Sequence, residues 1–142
     1  MKKMFAIALA LGATAALAAT ALAQDVCAPA ATTNLAAASY NSSIRLTWTP
    51  SGDDCATGTA SRWEVRYSST SITDTNWQGA TVLISGDSSD NGCAVYSHAC
   101  PGTQSFYFVV FQFDEANNRS PISNCVLGST RCGPPYQIAE CP

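Results

Sequence analysis

The sequence predicts an all-β sandwich, because it combines three features of that class. Short apolar runs alternate with clusters of Gly, Pro, Asn, Asp and Ser, no run has helical periodicity, and no internal repeat is present. Seven runs fit strands of a small two-sheet domain. They cover residues 34–40, 44–48, 62–67, 80–84, 94–96, 106–113 and 122–127.

The run at 62–67 is the clearest strand. Its apolar residues alternate strictly with Arg62, Glu64 and Arg66, which predicts one face in the core and one in water. The charged row is therefore interpreted as the solvated side of a strand, with a ligand-binding face as the alternative. The run at 44–48 shows the same period, with Ile44 and Trp48 on one face.

The first 23 residues predict a secretory signal peptide. A basic start containing Lys2 and Lys3 precedes an apolar Ala/Leu-rich run, and small residues end it at Ala23. The two-lysine start is typical of bacterial signals. We therefore expect residues 24–32 to form an N-terminal extension of a secreted, periplasmic or cell-surface protein. No later segment is apolar and long enough for a membrane span.

Charge narrows the range of partners. Cleavage would remove both lysines and leave five arginines against ten carboxylates, a net charge of −5. An acidic chain without a basic patch is a poor ligand for nucleic acid or anionic membranes. Chemistry based on lysine is excluded for the same mature chain.

All seven cysteines follow the predicted cleavage site. In an exported chain such cysteines indicate a disulfide framework. A zinc site is disfavoured because no C-x-x-C pair occurs and His98 is the only histidine. Because seven is odd, at least one thiol is free or bonded to another chain.

Four stretches resemble a bacterial fibronectin type III domain. They are L-T-W-T-P from Leu46, G-T-A-S-R-W-E-V-R-Y-S from Gly58, I-T-D-T-N-W from Ile72, and D-E-A-N-N-R-S-P-I-S-N from Asp114. The resemblance spans about residues 33–128 and leaves 129–142 as a Cys/Pro-containing tail. It implies a seven-stranded immunoglobulin-like sandwich with sheets A-B-E and C'-C-F-G. The implied core contains Trp48, Trp63, Phe106, Phe108 and Val110.

Two features depart from that family. Where the family has a tyrosine at the start of strand F, this chain has Phe106, which has no hydroxyl. A one-residue shift would place Tyr107 at that position, but it would also exchange the two faces of the strand. The family also does not normally carry this set of cysteines.

The implied topology places the cysteines in two groups, one at each end of the sandwich. Cys27, Cys55 and Cys93 fall at one pole, and we expect one disulfide among them with one thiol left over. Cys100, Cys125, Cys132 and Cys141 fall towards the other pole, where we expect two disulfides. Cys93 and Cys100 bracket a strand and would lie roughly 20 Å apart, too far for a bond. Their local pairing across a distorted strand is the alternative.

The chain offers little catalytic chemistry. His98 has no carboxylate near it in sequence, no G-x-S-x-G occurs, and the adjacent Asp53 and Asp54 are typical of a solvated turn. Asp87 to Gly92 resembles the first half of a calcium loop, but the twelfth position is His98 and not Glu. We therefore expect no enzyme, metal or cofactor.

The long run at 106–113 raises the functional question. In the implied register every second side chain of this strand lies on the face of the sheet that points away from the core. These residues are Tyr107, Val109, Phe111 and Phe113, and together they are large enough to mark an interaction site. Either the tail, through Tyr136 and Ile138, or a partner would cover this row. We expect a non-catalytic module for protein interaction or self-assembly; the alternative is a carbohydrate-binding accessory protein that stacks sugars on Trp77.

Overall fold

The computed structural model describes residues 25–55, 57–87, 92–97, 102–131 and 140–141. The predicted signal peptide lies outside these ranges. Within them the chain forms seven strands and one 3-10 turn, and no helix is long and apolar enough to cross a membrane. In chain order the elements are β1 (Ala36–Ser39), β2 (Ser43–Thr47), β3 (Arg62–Ser68), the 3-10 helix (Trp77–Gly79), β4 (Thr81–Asp87), β5 (Cys93–Ser97), β6 (Gln104–Phe113) and β7 (Val126–Thr130).

The strands form two antiparallel sheets, ordered β1-β2-β5 and β4-β3-β6-β7. This arrangement confirms the predicted all-β sandwich. Strand β3 forms because its alternating residues give one buried and one half-buried face, with Trp63 and Val65 buried. It pairs with β4 on one side and β6 on the other, so the long apolar strand lies inside its sheet.

The last strand begins later than predicted, at Val126 and not at 122. Two serines of the preceding segment bind β6 through both backbone and side chain: Ser120 N donates to the Gln112 carbonyl at 2.8 Å, and Ser123 N donates to the Val110 carbonyl at 3.3 Å. Val110 N donates to Ser123 Oγ at 2.9 Å, and Gln112 N donates to Ser120 Oγ at 3.0 Å. Because hydroxyls accept these bonds, the segment runs beside β6 without building a regular ladder.

The main core lies between the sheets and contains the residues expected there. Trp48 and Trp63 meet edge to face with ring centroids 5.0 Å apart. Phe108 and Val110 are fully buried, and Phe106 packs against them. In β6 it is therefore Phe106 that faces the core, and the one-residue shift that would place Tyr107 there does not occur.

The two sheets come close together where Gly128 of β7 faces Ile44 of β2. A Cβ at position 128 would lie 2.6 Å from Ile44 Cγ2. Gly92 has φ +61°, and a Cβ there would collide with the Trp48 carbonyl. The backbone of Trp48 leaves no room for a side chain at position 92, and the side chain of Ile44 opposes one at position 128.

Two disulfides join four of the five described cysteines. Cys27 bonds Cys55, with Cα atoms 5.4 Å apart, which is the expected bond within the first group. Cys93 bonds Cys141, with Cα atoms 5.7 Å apart. This second bond overturns the grouping by poles and excludes the local alternative between Cys93 and Cys100.

The grouping was wrong because it kept the tail at the end of the last strand. Ten residues separate Arg131 from Cys141, which permits a reach of about 33 Å, enough to span the sandwich. Cys125 is free and half-buried, so the described unpaired thiol belongs to the second group and not to the first. Cys100 and Cys132 lie outside the described residues.

Candidate functional site

The row named as a candidate interaction face is largely buried. Val109 and Phe111 have no exposed surface, and Tyr107 and Phe113 are half-buried. The central pair is therefore not available as a contact surface for a partner, which was one of the two alternatives for this row. They belong to a second, smaller apolar cluster on the outer side of the four-stranded sheet.

The cover comes from two connections of the chain itself. The β3–β4 connection contributes Ile72 and Ala80, which are 3% and 7% exposed, together with Trp77. The segment before β7 adds Ile122 and Cys125. The predicted cover by the tail, through Tyr136 and Ile138, concerns residues outside the described ranges.

Asn76 holds the covering connection in shape. Its Oδ1 accepts from Thr73 N at 2.7 Å, and its Nδ2 donates to the Ser71 carbonyl at 3.0 Å. Trp77 N also donates to the Thr73 carbonyl at 3.1 Å. An asparagine that satisfies backbone groups on both sides of a turn is a strong local determinant, and here it fixes the approach of Trp77 to the sheet.

Arginines surround this tryptophan. Arg66 Cζ lies 4.9 Å from the centre of the Trp77 ring, and Arg119 Cζ lies 4.3 Å from it. Arg119 also lies over Phe111 at 4.5 Å. Arg66 is held by Glu64, with Nε to Oε1 at 2.6 Å. The charged row of β3 therefore participates in packing, since its cations lie over aromatic rings.

The same contacts bear on sugar binding. Stacking of a sugar needs a free aromatic face, and Trp77 lies under two guanidinium groups and against the Phe111 ring, with centroids 5.0 Å apart. The tryptophan predicted as a stacking platform is thus built into the cover of the sheet. Sequence reasoning missed this arrangement because residues 66, 77 and 119 are distant in the chain.

A small cavity lies at the end of the covering connection. Its volume is about 230 Å3, below the range of about 300–1,000 Å3 that is usual for small-molecule sites. Ser68, Thr70, Ile72, Asn76, Gly79 and Ala80 line it. Asn76 already uses its amide in the turn, so the cavity offers mainly hydroxyls and backbone groups to a ligand.

Among the described residues, β4 is one of the two edge strands of the four-stranded sheet, and β7 is the other. Val82 is 46% exposed and Ile84 is 45% exposed. A bulge follows Val65 in the pairing, so that Ile84 is opposite Val65 and Val82 is opposite Arg66. The two exposed apolar side chains therefore fall opposite a buried and a half-buried position of β3. The sheet order C'-C-F-G implied by the resemblance places the strand at 80–84 at this edge, but it did not predict the exposure of Val82 and Ile84.

Carboxylates converge at one pole, where the β2–β3 loop meets the β6–β7 loop. Burial, a hydrogen bond to Glu115, and the charges of Glu115, Asp54 and Asp114 raise the pKa of Asp53 to about 6. Asp114 is almost fully buried, and its carboxylate accepts from the backbone and side chain of Asn118, both at 2.7 Å.

No part of the described chain holds three His, Cys, Asp or Glu side chains arranged to bind a metal ion. Of the stretch that resembles half of a calcium loop, residues 88–91 lie outside the described ranges, and so does His98. Asp87 and Gly92 are described, and the carbonyl of Asp87 accepts from Trp63 Nε1 at 3.0 Å.

No protein-family model matches the chain, and no curated protein does. The solved fibronectin type III domain of human fibronectin type III domain containing protein 3 is similar, with a TM-score of 0.54 and 15% identity over 78% of this chain and 94% of that chain. The structure is therefore a fibronectin type III-like sandwich, as the sequence resemblance implied.

Two polysaccharide-acting enzymes also contain similar segments. Pectate lyase PelI from Erwinia chrysanthemi, solved with tetragalacturonic acid, gives a TM-score of 0.53 and 19% identity over 69% of this chain and 28% of that chain. A β-1,2-glucanase from Parabacteroides distasonis gives 0.55 and 19%, over 84% of this chain and 14% of that chain. At these identities the likeness concerns the fold alone, and this chain spans only a minor part of either enzyme.

Proposed function

We propose that the protein is an exported, non-catalytic module that binds another protein through the free edge at β4. The observation that carries this proposal is the exposure of Val82 and Ile84 on a sheet edge. The row on β6 expected to serve this purpose is closed, so the edge takes its place as the candidate contact surface.

The composition of β4 supports the proposal. Edge strands are commonly protected against association by lysine, proline or inward-pointing charge. Thr81–Asp87 reads T-V-L-I-S-G-D, and Asp87 at its end is its only charged residue. Its bulge is the single protective device in this strand. A partner segment added beside β4 would gain main-chain hydrogen bonds, with Val82 and Ile84 giving apolar contacts.

Site-specific photo-crosslinking in the native host tests the proposal. A photoreactive amino acid at position 82 should capture the same protein as one at position 84. The same group at position 127 is the matched control, because Leu127 is 54% exposed and lies on β7. Val82→Lys with Ile84→Lys should abolish capture by a probe at position 85. Equal capture from position 127, or none from the edge, would refute the proposed surface.

A carbohydrate-binding accessory role is the second candidate, supported by the similar segments within the two polysaccharide-acting enzymes. The acidic charge of the chain opposes binding to polygalacturonate, so neutral β-1,2-glucan is the better probe. Retarded migration of the native protein in a gel containing this glucan would favour the second candidate. If the native protein migrates unchanged in gels that contain β-1,2-glucan or polygalacturonate, the carbohydrate-binding role is rejected.

A further inference from the structure

We propose that the partner of the β4 edge is a second copy of this chain, and that the two copies pair antiparallel about Leu83. The two four-stranded sheets then join into one sheet of eight strands. This inference rests on the proposed function, since it names the partner of the same edge. The contact is isologous, so each copy must present to the other the surface that the other presents to it.

The β4 edge is open, whereas the opposite edge of the same sheet is partly occupied. In the described part of the chain, β4 pairs with β3 alone. At the other edge, Ser129 N of β7 donates to Ser39 Oγ at 2.9 Å, and Arg131 N donates to the Tyr40 carbonyl at 3.4 Å. The end of β1 therefore occupies part of the β7 edge. No described strand lies on the outer side of β4, so its backbone can bond a further strand there.

The apolar side chains of this edge match those of their own copy. In an antiparallel pair centred on Leu83, Val82 of one copy lies opposite Ile84 of the other, and the same contact recurs across the two-fold axis. Both side chains are nearly half exposed, at 46% and 45%, so pairing removes apolar surface from water on both copies. Both are β-branched, and such side chains pack well against a neighbour across strands.

Charge favours the antiparallel arrangement over the parallel one. The chain is acidic, and Asp87 is the only charged residue of β4. In the antiparallel pair Asp87 lies opposite Gly79 of the other copy, and the two Asp87 residues are separated by about 26 Å, at about 3.3 Å per residue. This separation exceeds the Debye length of about 8 Å at physiological ionic strength. A parallel pair in register would place the two carboxylates side by side.

An arginine lies at the position where Asp87 of the other copy arrives. Arg66 Nη1 donates to the carbonyls of Trp77 and Ala80, both at 3.4 Å, so the guanidinium lies beside the residues that lead into β4. Asp87 is exposed, and in the antiparallel pair it comes between these two positions of the other copy. Because Arg66 also binds Glu64, the attraction between copies is modest, and its effect is to set the register.

The proposed dimer is weak and reversible. Leu83 has no direct partner on β3, because Val82 is opposite Arg66 and Ile84 is opposite Val65, and such a bulge bends the strand. A contact confined to one bent edge buries less than about 1,200 Å2 in total, which is the range of transient complexes. We therefore expect a dissociation constant of about 10–500 µM.

Sedimentation equilibrium of the mature protein between about 10 µM and about 1 mM tests the pairing. The weight-average mass should rise with concentration from that of a monomer towards that of a dimer. Val82→Lys with Ile84→Lys places like charges opposite each other and should raise the dissociation constant by about tenfold or more. Glu at the same two positions should have the same effect. Leu127→Lys, at an exposed site of β7, is the matched control and should dimerise like the native protein.

A mixture of the two charged variants makes the test specific for this edge. Equimolar double-Lys and double-Glu variants should form a heterodimer, because each Lys then lies opposite a Glu. Variants that had merely unfolded would not recover in this way. The strand direction is measured with a photoreactive amino acid at position 85 of unlabelled protein, mixed with isotope-labelled protein. It should attach to the labelled chain near Thr81 and not near Ser85.

Self-pairing would be overturned by a native protein that remains monomeric throughout the series, by a dimer that persists in both charged variants, by a mixture that forms no heterodimer, or by attachment near Ser85. Photo-crosslinking in the host separates this failure from failure of the proposed function. If the native protein is monomeric and positions 82 and 84 capture a different protein, the binding edge stands and a second copy is not its partner. If these positions capture nothing, the edge itself is rejected as a binding surface.

Discussion

The guanidinium of Arg119 lies over the ring of Trp77, with its Cζ 4.3 Å from the ring centre. Arg119 precedes β7 and Trp77 precedes β4, so this contact joins two connections that cover the same side of the sheet. It explains how a strand with apolar residues on both faces is accommodated in a small domain. One face of β6 packs into the sandwich, and the other is closed by a layer of arginine and tryptophan.

Trp77→Ala should lower the free energy of unfolding by about 2–3 kcal/mol, because it uncovers Phe111 and removes the partner of both arginines. Trp77→Phe keeps a ring and should lose about half as much. Leu127→Ala, at an exposed site, is the control and should change stability by less than about 0.5 kcal/mol. Urea unfolding followed by circular dichroism measures all three. A loss below 1 kcal/mol for Trp77→Ala would show that the layer contributes little.

The strands and the main core could be predicted from the sequence, because each follows from the alternation of apolar and polar residues along a short segment. Alternation around Trp63 identified a half-buried strand, and the parity of 106–113 placed Phe108 and Val110 inside. The closure of Phe111 could not be predicted in this way. It depends on contacts among residues far apart in sequence, and no local period distinguishes an arginine that lies over a ring from one that lies in water.

The cysteine pairing yields a direct chemical prediction. Peptide mapping without reduction should recover Cys27 linked to Cys55 and Cys93 linked to Cys141, with Cys125 alkylated after denaturation. The expected second bond of the other group then reduces to Cys100 with Cys132. Three alkylated cysteines in the map would contradict it.

Removal of a mapped bond should have a measurable cost. The Cys93–Cys141 bond closes a loop of 48 residues. Its replacement by two serines should lower the free energy of unfolding by about 2–4 kcal/mol, because the unfolded chain regains the entropy that the bond removes. Cys125→Ser, which breaks no disulfide, is the control. Equal stability of the double-serine variant and the control, measured in the same denaturant series, would be inconsistent with a bond at this position.

Gly128→Ala should destabilise the sandwich by about 1–3 kcal/mol, because the new methyl group would press on Ile44. Ile44→Ala removes the atoms that it meets. A double-mutant cycle should therefore show that Gly128→Ala costs less in the Ile44→Ala background, with a coupling of about 1 kcal/mol or more. Additive effects of the two substitutions would mean that β2 and β7 are not in contact at this point.

The segment before β1 is bound to β6 by a buried polar pair, Gln112 and Thr32. Gln112 Nε2 donates to Thr32 Oγ1 at 2.7 Å, and the two residues are 1% and 3% exposed. Gln112→Leu would leave the threonine hydroxyl without this donor and should cost about 1–3 kcal/mol. Thr32→Val added to that variant removes the unpaired hydroxyl and should recover part of the lost free energy of unfolding. Denaturant unfolding of the native protein, the two single variants and the double variant measures the coupling. If the double variant loses as much free energy of unfolding as the two single variants together, Gln112 and Thr32 do not act as a pair.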